Sequence, residues 1–380
     1  MSKIIAINAR FILPNYMEGY GNYIVQLYSR VAVHMPHVTF YFITDRAVTQ
    51  HITLPNNCHF KLLPPAARHP ILWHYWYNVA IPKLLKQLQA NLYISPDGFG
   101  SLTTKVPQII VIHDLAFLHL PKAIRASHLW YYKRYTPKCI HKSDQVITVS
   151  QHSKNEIIQA YNVPPAKITI VHNAASEHYK PLLWQQHQAV KDEYTQGKEY
   201  FVCVSSIHPR KNIINLLKAF SIFKKWQVSN MKLVLIGRLA WNNTAFEQLY
   251  NTYKYKADVI LLGYQPTTTV ALIVAAAYCA IYPSLYEGFG VPILEAMQCG
   301  VPVITSNTTG MLEAGGGAAL YADPTSATDI AAQLQLIYKD EQLRANKVIA
   351  GLEHARLFNW DSSAKVMCTV INNVMHTQVT

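Results

Sequence analysis

Cysteine is scarce and dispersed. The six residues Cys58, Cys139, Cys203, Cys279, Cys299 and Cys368 form no CxxC pair and no Cys/His cluster, so neither a disulfide framework nor a zinc site is expected. The 17 histidines are scattered too and read as surface or hydrogen-bonded core residues. Long hydrophobic runs are missing: the longest, VALIVAAAYCAIY from Val270 to Tyr282, stops at Pro283, short of the ~20 residues a membrane-spanning helix needs. The opening MSKIIAINARF holds only a few apolar residues before Asn8 and Arg10, too few for a signal-peptide core. It reads as a first buried strand, and a cytoplasmic protein is expected. No G-x-G-x-x-G follows that strand, which argues against a dinucleotide dehydrogenase. Acidic residues are short as well, 21 Asp and Glu against 34 Lys and Arg for a net charge of +13, and +10 of it lies in residues 1–195.

Half of the 380 residues are hydrophobic and 14% are charged, enough apolar material for two ordinary domains with cores of their own. Short apolar runs alternate with stretches of helical period, the pattern of parallel βα units. Strands are expected at KIIAIN, VTFYFIT, LYISP, QIIVIHD, DQVITVS and KITIVHN, then at YFVCVSS, KLVLIG, VILLG, CAIYPS and PVITS. A more polar stretch divides the two sets. The expected class is therefore α/β, two Rossmann-like doubly wound parallel sheets, with an N-terminal domain over 1–175, a linker over 176–195 and a second domain over 196–357. Ligands of such sheets bind at the carboxyl ends of strands, so a cleft between the domains is the expected site.

The basic N-terminal half suits an anionic partner: nucleic acid, lipid or an acidic small molecule. No nucleic-acid-binding signature accompanies it. The aromatic-basic stretch RASHLWYYKRYTPK, Arg125 to Lys138, reads either as a peripheral contact with an anionic membrane or as a solvated amphipathic helix whose aromatics pack inward.

Two motifs carry chemistry. In IYPSLYEGFGVPILEAMQCG a strand ends near Pro283, and Glu287, Gly288, Phe289 and Gly290 lead into a helix beginning about Pro292. The glycines let backbone approach a ligand, and the amides at a helix start favour phosphate. Glu287 is placed to accept hydrogen bonds from sugar hydroxyls, and Glu295, a turn into the helix, from a ribose. In VSSIHPRKNIINLLKAF, Arg210 and Lys211 follow a strand and precede a helix with one apolar face. In isolation such a pair is a surface feature; at a strand's carboxyl end it supplies a charge clamp for a diphosphate.

EGFG with the following Pro292 and Glu295-Ala-Met, together with PRKN, resembles the retaining nucleotide-sugar glycosyltransferases of family four, whose fold is GT-B. The likeness runs through GYGNYIVQL, VIHDLAFLHLP, ITVSQHSKNEI, KITIVHN, LVLIGRLAW, LLGY and GGGAALYADP to the region of Trp360. It implies that Arg210 and Lys211 hold the donor diphosphate, that Glu287 with the amides of Gly288, Phe289 and Gly290 holds the sugar, and that Glu295 holds the ribose. It further implies that Gly19 and Gly21 form a glycine loop approaching the phosphates. By the same resemblance His113 is expected to face the reacting sugar from the first domain, and a C-terminal crossover helix, about 358–380, to return to that domain. The candidate catalytic residues are thus His113, Glu287, Arg210 and Lys211. Asp114 caps or orients its loop. Departures are His208 where Glu is frequent, Ala174 where Gly follows the His-Asn pair, and Leu312 where proline is common.

By the same resemblance the expected reaction is retaining hexosyl transfer, best matched to mannose from GDP-mannose, onto a saccharide or lipid-linked saccharide in surface-polysaccharide synthesis. UDP-linked donors stay open. Some transferases hold a metal with an Asp-x-Asp pair; the chain has none, so no metal site and no cofactor beyond the donor is expected. The alternatives are a catalytically silent nucleotide-sugar-binding protein and a sugar-nucleotide epimerase or phosphorylase on the same fold.

Overall fold

The computed structural model describes residues 3–13, 19–49, 52–239 and 244–376. Ala240 and Trp241, at the end of LVLIGRLAW, and the last four residues of the expected crossover lie outside them. The chain divides into two compact units, one of residues 1–173 with 359–380 and one of residues 174–358.

In the first unit seven strands pair in parallel: β1 Lys3–Asn8, β2 Val38–Thr44, β3 Cys58–Leu62, β4 Leu92–Ser95, β5 Gln108–Ile112, β6 Gln145–Thr148 and β7 Ile168–Ile170, in the order β3-β2-β1-β4-β5-β6-β7. Central strands of a parallel sheet are covered on both faces and so read as unbroken apolar runs; β4 and β5 are buried along their whole length. Ile5 of β1 is in register with Phe40 on one side and Leu92 on the other. Between β1 and β4 the direction of winding reverses. Ligands of open α/β sheets bind at this switch point.

Local chemistry sets the helix limits. The Ser150 hydroxyl accepts from the Ser153 amide at 3.0 Å and starts the helix Gln151–Tyr161, which ends at Asn162 in the left-handed region. The helix Trp360–His376 buries Trp360, Met367 and Ile371 and packs on the helix Gly19–His34 within this unit.

The second unit carries six parallel strands: β8 Tyr200–Val204, β9 Lys232–Ile236, β10 Val259–Gly263, β11 Cys279–Tyr282, β12 Val303–Ser306 and β13 Leu320–Ala322, in the order β10-β9-β8-β11-β12-β13. Its switch point lies between β8 and β11. Behind β8, the helix Ile213–Gln227 turns Ile213, Leu216, Leu217 and Phe220 into the core, as the apolar spacing requires.

Residues 176–195, read as a linker, lie within the second unit. Tyr179 is buried, and Trp184–Thr195 is a helix that buries Val190. Its polarity is that of a surface helix, with Leu183 and Trp184 themselves exposed. No helix among the described residues is long and apolar enough to cross a membrane.

Candidate active site

Two segments meet at the β8/β11 switch point. After β8 the chain forms a short 3-10 turn, Pro209–Lys211, whose start is capped by His208, the Nδ1 of which accepts from the Arg210 amide at 3.2 Å. A carboxylate caps in the same way, so histidine at this position keeps the turn. Asn212 follows in the left-handed region (φ 61°) and donates to the carbonyls of Pro283 (2.9 Å) and Pro324 (2.6 Å). The Leu285 amide donates to the Arg210 carbonyl at 2.8 Å. These bonds tie the turn after β8 to the loops after β11 and β13.

That loop delivers Glu287. One carboxylate oxygen accepts from Arg210 Nη1 at 3.1 Å and the other from Lys211 Nζ at 2.6 Å. Lys211 donates also to the Tyr282 hydroxyl at 2.6 Å, with the ammonium 4.9 Å from the Tyr282 ring centre. The Glu287 backbone is held by Thr309 Oγ1, which accepts from its amide at 3.2 Å, and by the Gly310 amide, which donates to its carbonyl at 3.1 Å. Burial alone would raise the Glu287 pKa, but Arg210 and Lys211 outweigh it and hold the carboxyl at about 2. Burial draws the Lys211 ammonium downward against the pull of Glu287; with Glu287 ionised, the pair stands at neutral pH. Two cations on one carboxylate leave the trio with a charge of +1. Glu287 at such a pKa is a hydrogen-bond acceptor and not a proton acceptor near neutrality.

Downstream, Gly290 has φ 115°, and a Cβ there would stand 2.9 Å from Ile293 Cδ1, so the entry to the helix Val291–Gln298 demands glycine. Gly310 packs as closely, since a Cβ would lie 2.1 Å from the Gly288 carbonyl oxygen. The Phe289 ring is buried against Phe358 (centroids 5.3 Å apart). Its side chain therefore anchors the loop in the core, and only its backbone is available to a ligand. Glu295 stands a turn into this helix, half-buried, where the Tyr179 hydroxyl donates to it. It shares a small apolar pocket with Val202, Val204, Val274 and Val303, and burial pushes its pKa up to about 7 against the lowering effect of Tyr179. The two glutamates of the motif thus differ: one is ionised under all ordinary conditions, and one titrates near neutrality.

In the first unit, His113 follows β5. Its Nε2 lies 2.9 Å from the Pro96 carbonyl, which can only accept, so the proton is on Nε2 and Nδ1 carries the lone pair. Burial lowers its pKa, keeping the ring neutral. Asp114 caps the next turn, its Oδ1 accepting from the Ala116 amide at 2.9 Å. Gly19 and Gly21 belong to the first turn of the helix Gly19–His34 and not to a loop. Their neighbours Tyr20 and Tyr23 each meet His113 edge-on, with centroids 4.7 Å apart. At this unit's own switch point, Arg10 Nε donates to Asp97 at 2.7 Å, and Asp97 also accepts from Asn8 Nδ2 (2.8 Å) and the Tyr77 hydroxyl.

The structure thus brings Arg210, Lys211 and Glu287 together, sets Gly288, Phe289 and Gly290 in the same loop with Glu295 in the helix behind, and gathers Gly19, Gly21 and His113 in the other unit. Sequence reasoning missed Tyr282, Asn212, Thr309 and Tyr179. Only Asn212, adjoining the basic pair in PRKN, carried a signal.

The family model described as glycosyl transferases group 1 matches residues 185–353, and that of glycosyltransferase family 4 matches residues 18–177. Between them they take in most of the chain. It belongs to glycosyltransferase family four. The transferase is 28% identical over 359 residues to the O-antigen chain mannosyltransferase B of Escherichia coli, covering 91% of this chain and 93% of that one. To the O-antigen chain mannosyltransferase RfbU of Salmonella typhimurium it is 27% identical over 259 residues, 67% of each chain. Its position is therefore near the mannosyltransferase branch. Among solved structures, sucrose-phosphate synthase from Thermosynechococcus elongatus superposes with a TM-score of 0.80 at 18% identity, covering 99% of the transferase and all of that chain. The fold is GT-B.

Proposed function

We propose that this transferase moves mannose from GDP-mannose to a saccharide or lipid-linked saccharide acceptor in surface-polysaccharide synthesis, with retention of configuration and without a metal or other cofactor. The observation that carries the reading is the Arg210, Lys211 and Glu287 trio at the β8/β11 switch point. It sets two cationic side chains, each partly exposed, where a nucleoside diphosphate would leave, beside a carboxylate that suits sugar hydroxyls. The choice of mannose is supported by the likeness to O-antigen mannosyltransferases over most of the chain.

In this mechanism Arg210 and Lys211 stabilise the departing diphosphate, with the Gly288, Phe289 and Gly290 amides contributing from the loop. Glu287 orients the donor sugar, Glu295 accepts from the ribose, and neutral His113 accepts a hydroxyl proton through Nδ1 as a hydrogen bond. The acceptor hydroxyl attacks on the face from which the diphosphate departs, and a departing phosphate oxygen takes its proton. The C1–O bond to phosphate breaks as the new C1–O bond forms, so the anomeric configuration of the donor is kept.

The test is an assay with GDP-mannose, UDP-glucose, UDP-galactose and UDP-N-acetylglucosamine and a lipid-linked saccharide acceptor, in the presence of EDTA, with the product anomer read by NMR. Mannosyl transfer with the donor's anomer preserved is the expected result. Use of a UDP-sugar alone overturns the donor, an inverted product overturns the mechanism, and loss of turnover with EDTA that returns with added metal overturns the metal-independent reading. Donor binding without transfer or hydrolysis points to a silent binding protein.

A further inference from the structure

The donor site uses little of the chain's positive charge. Between residues 46 and 143 stand twelve Lys and Arg against two carboxylates, Asp97 and Asp114. Asp97 is buried against Arg10, and Asp114 is engaged with the Ala116 amide. Six of the twelve, Lys83, Lys86, Lys133, Arg134, Lys138 and Lys142, lie on two helical segments that pack together in the first unit. One is the run Pro70–Tyr75, the π-turn Trp76–Ala80 and the helix Ile81–Leu88; the other is the helix Ala126–Lys142.

Their inward faces make the aromatic core: Trp73 packs on His128, Tyr131 and Tyr132. Their outward faces are different in kind. The first exposes Ile71 (73%), Leu72, Tyr75 and Val79, with Lys83 and Lys86 beyond; the second exposes Trp130 (60%) beside Lys133, Arg134 and Lys138. The two faces adjoin where the His74 and Tyr135 rings meet at 5.3 Å, and Tyr135 in turn meets Trp130 at 6.0 Å. The result is one surface of large apolar side chains set among lysines and arginines.

We propose that this surface docks the first unit on an anionic lipid bilayer, with Ile71, Tyr75, Val79 and Trp130 entering the headgroup region and the basic residues meeting anionic phosphates. Charge complementarity selects an anionic partner. The aliphatic residues select lipid over nucleic acid, because a nucleic acid backbone is met by cations and hydrogen-bond donors, whereas an interfacial helix pairs basic residues with buried Trp, Ile and Leu. The proposal stands on this surface alone and does not depend on the donor reading.

The test is sedimentation of the full chain with phosphatidylcholine vesicles, with and without about one-third phosphatidylglycerol, at low and high salt. Binding is expected only to the anionic vesicles and is expected to weaken with salt. Lys133→Glu with Arg134→Glu should lower the bound fraction roughly tenfold or more, and Ile71→Ser with Trp130→Ser should lower it several-fold. All these positions are exposed, and thermal denaturation of each variant checks its folding. Lys225→Glu, on the second unit, should change nothing. Equal binding to neutral vesicles, or binding unaffected by the basic pair, overturns the proposal. So does binding unaffected by the apolar pair and displaced by a short DNA duplex, which would mark the surface as a general polyanion site.

Discussion

The two units hold the same fold, and each places a basic residue and an acid at its switch point, yet they use the pair in opposite ways. In the first, Arg10 and Asp97 are 6% and 1% exposed, and Arg10 donates also to the Ala67 carbonyl at 3.0 Å while Tyr77 and Asn8 complete the acid. In the second, Arg210 and Lys211 share one acid and keep 25% and 13% of their side-chain surface. One acid per cation with full burial makes a strut. Two cations on one acid, each with part of its side chain exposed, are what the proposed diphosphate clamp requires. The access of the charges, more than the residue types, separates the buried pair from the proposed clamp.

The sharpest way to break this comparison is to remove the acid of the strut. Asp97→Asn leaves the Arg10 charge buried without its counterion, a change that costs about 3–5 kcal/mol and should lower the melting temperature by roughly 10 °C. A shift of only about 1 °C would show that the pair is not a strut. Lys211→Ala should shift the balance the other way, lowering the melting temperature less than Asp97→Asn because Arg210 remains on Glu287, while cutting kcat by about 10²–10³, with Arg210→Ala similar. Near-normal turnover in both would remove the clamp from the mechanism.

Much of this contrast was not visible in the sequence. Strands β1, β4, β5, β8 and β11 were legible because burial on both faces makes them apolar throughout, and the Gly-Phe-Gly loop was legible because its turn, proline and helix lie within a few residues. Arg10 and Asp97 are 87 positions apart, and Asp97 in SPDGFG reads as an ordinary turn residue. The link from Arg210 to Glu287 spans 77 positions, so each motif was found while their pairing was not. Tyr179 lies in a stretch whose polarity marked it as linker, and only tertiary packing brings it to Glu295.

A smaller effect separates the two glutamates by pH. The Glu295 carboxyl, raised to about 7, is protonated in the folded chain where the unfolded chain has already ionised. Its contribution to stability is therefore fully present below the usual glutamate range of about 4.5 and is lost as pH rises to about 7. Glu287, lowered to about 2, contributes above about 4.5 and is lost as pH falls towards 2. A ribose that donates to Glu295 favours its carboxylate, so nucleotide-sugar affinity should rise about tenfold from pH 6 to pH 8. Glu295→Gln should flatten that profile in calorimetric titration; an unchanged slope would place the titrating group elsewhere.

The smallest expected effect concerns Gly19, where an added Cβ meets no atom within 4 Å and the backbone is helical. Gly19→Ala should be neutral to stabilising by up to about 1 kcal/mol. If turnover falls while the melting temperature does not, the space beside Gly19 is needed by a ligand and the expected role near the phosphates gains ground. If neither changes, glycine there serves only the helix start.

The return of Trp360–His376 to the first unit has a consequence for biosynthesis. The second unit is continuous in the chain, whereas the first must wait for a helix that emerges after the whole of the second has been made. Until then the partners of Trp360, Met367 and Ile371 on the helix Gly19–His34 stay uncovered on the nascent chain. The part translated first is thus the last to be finished, and a chain arrested before Trp360 carries a complete second unit beside an incomplete first one.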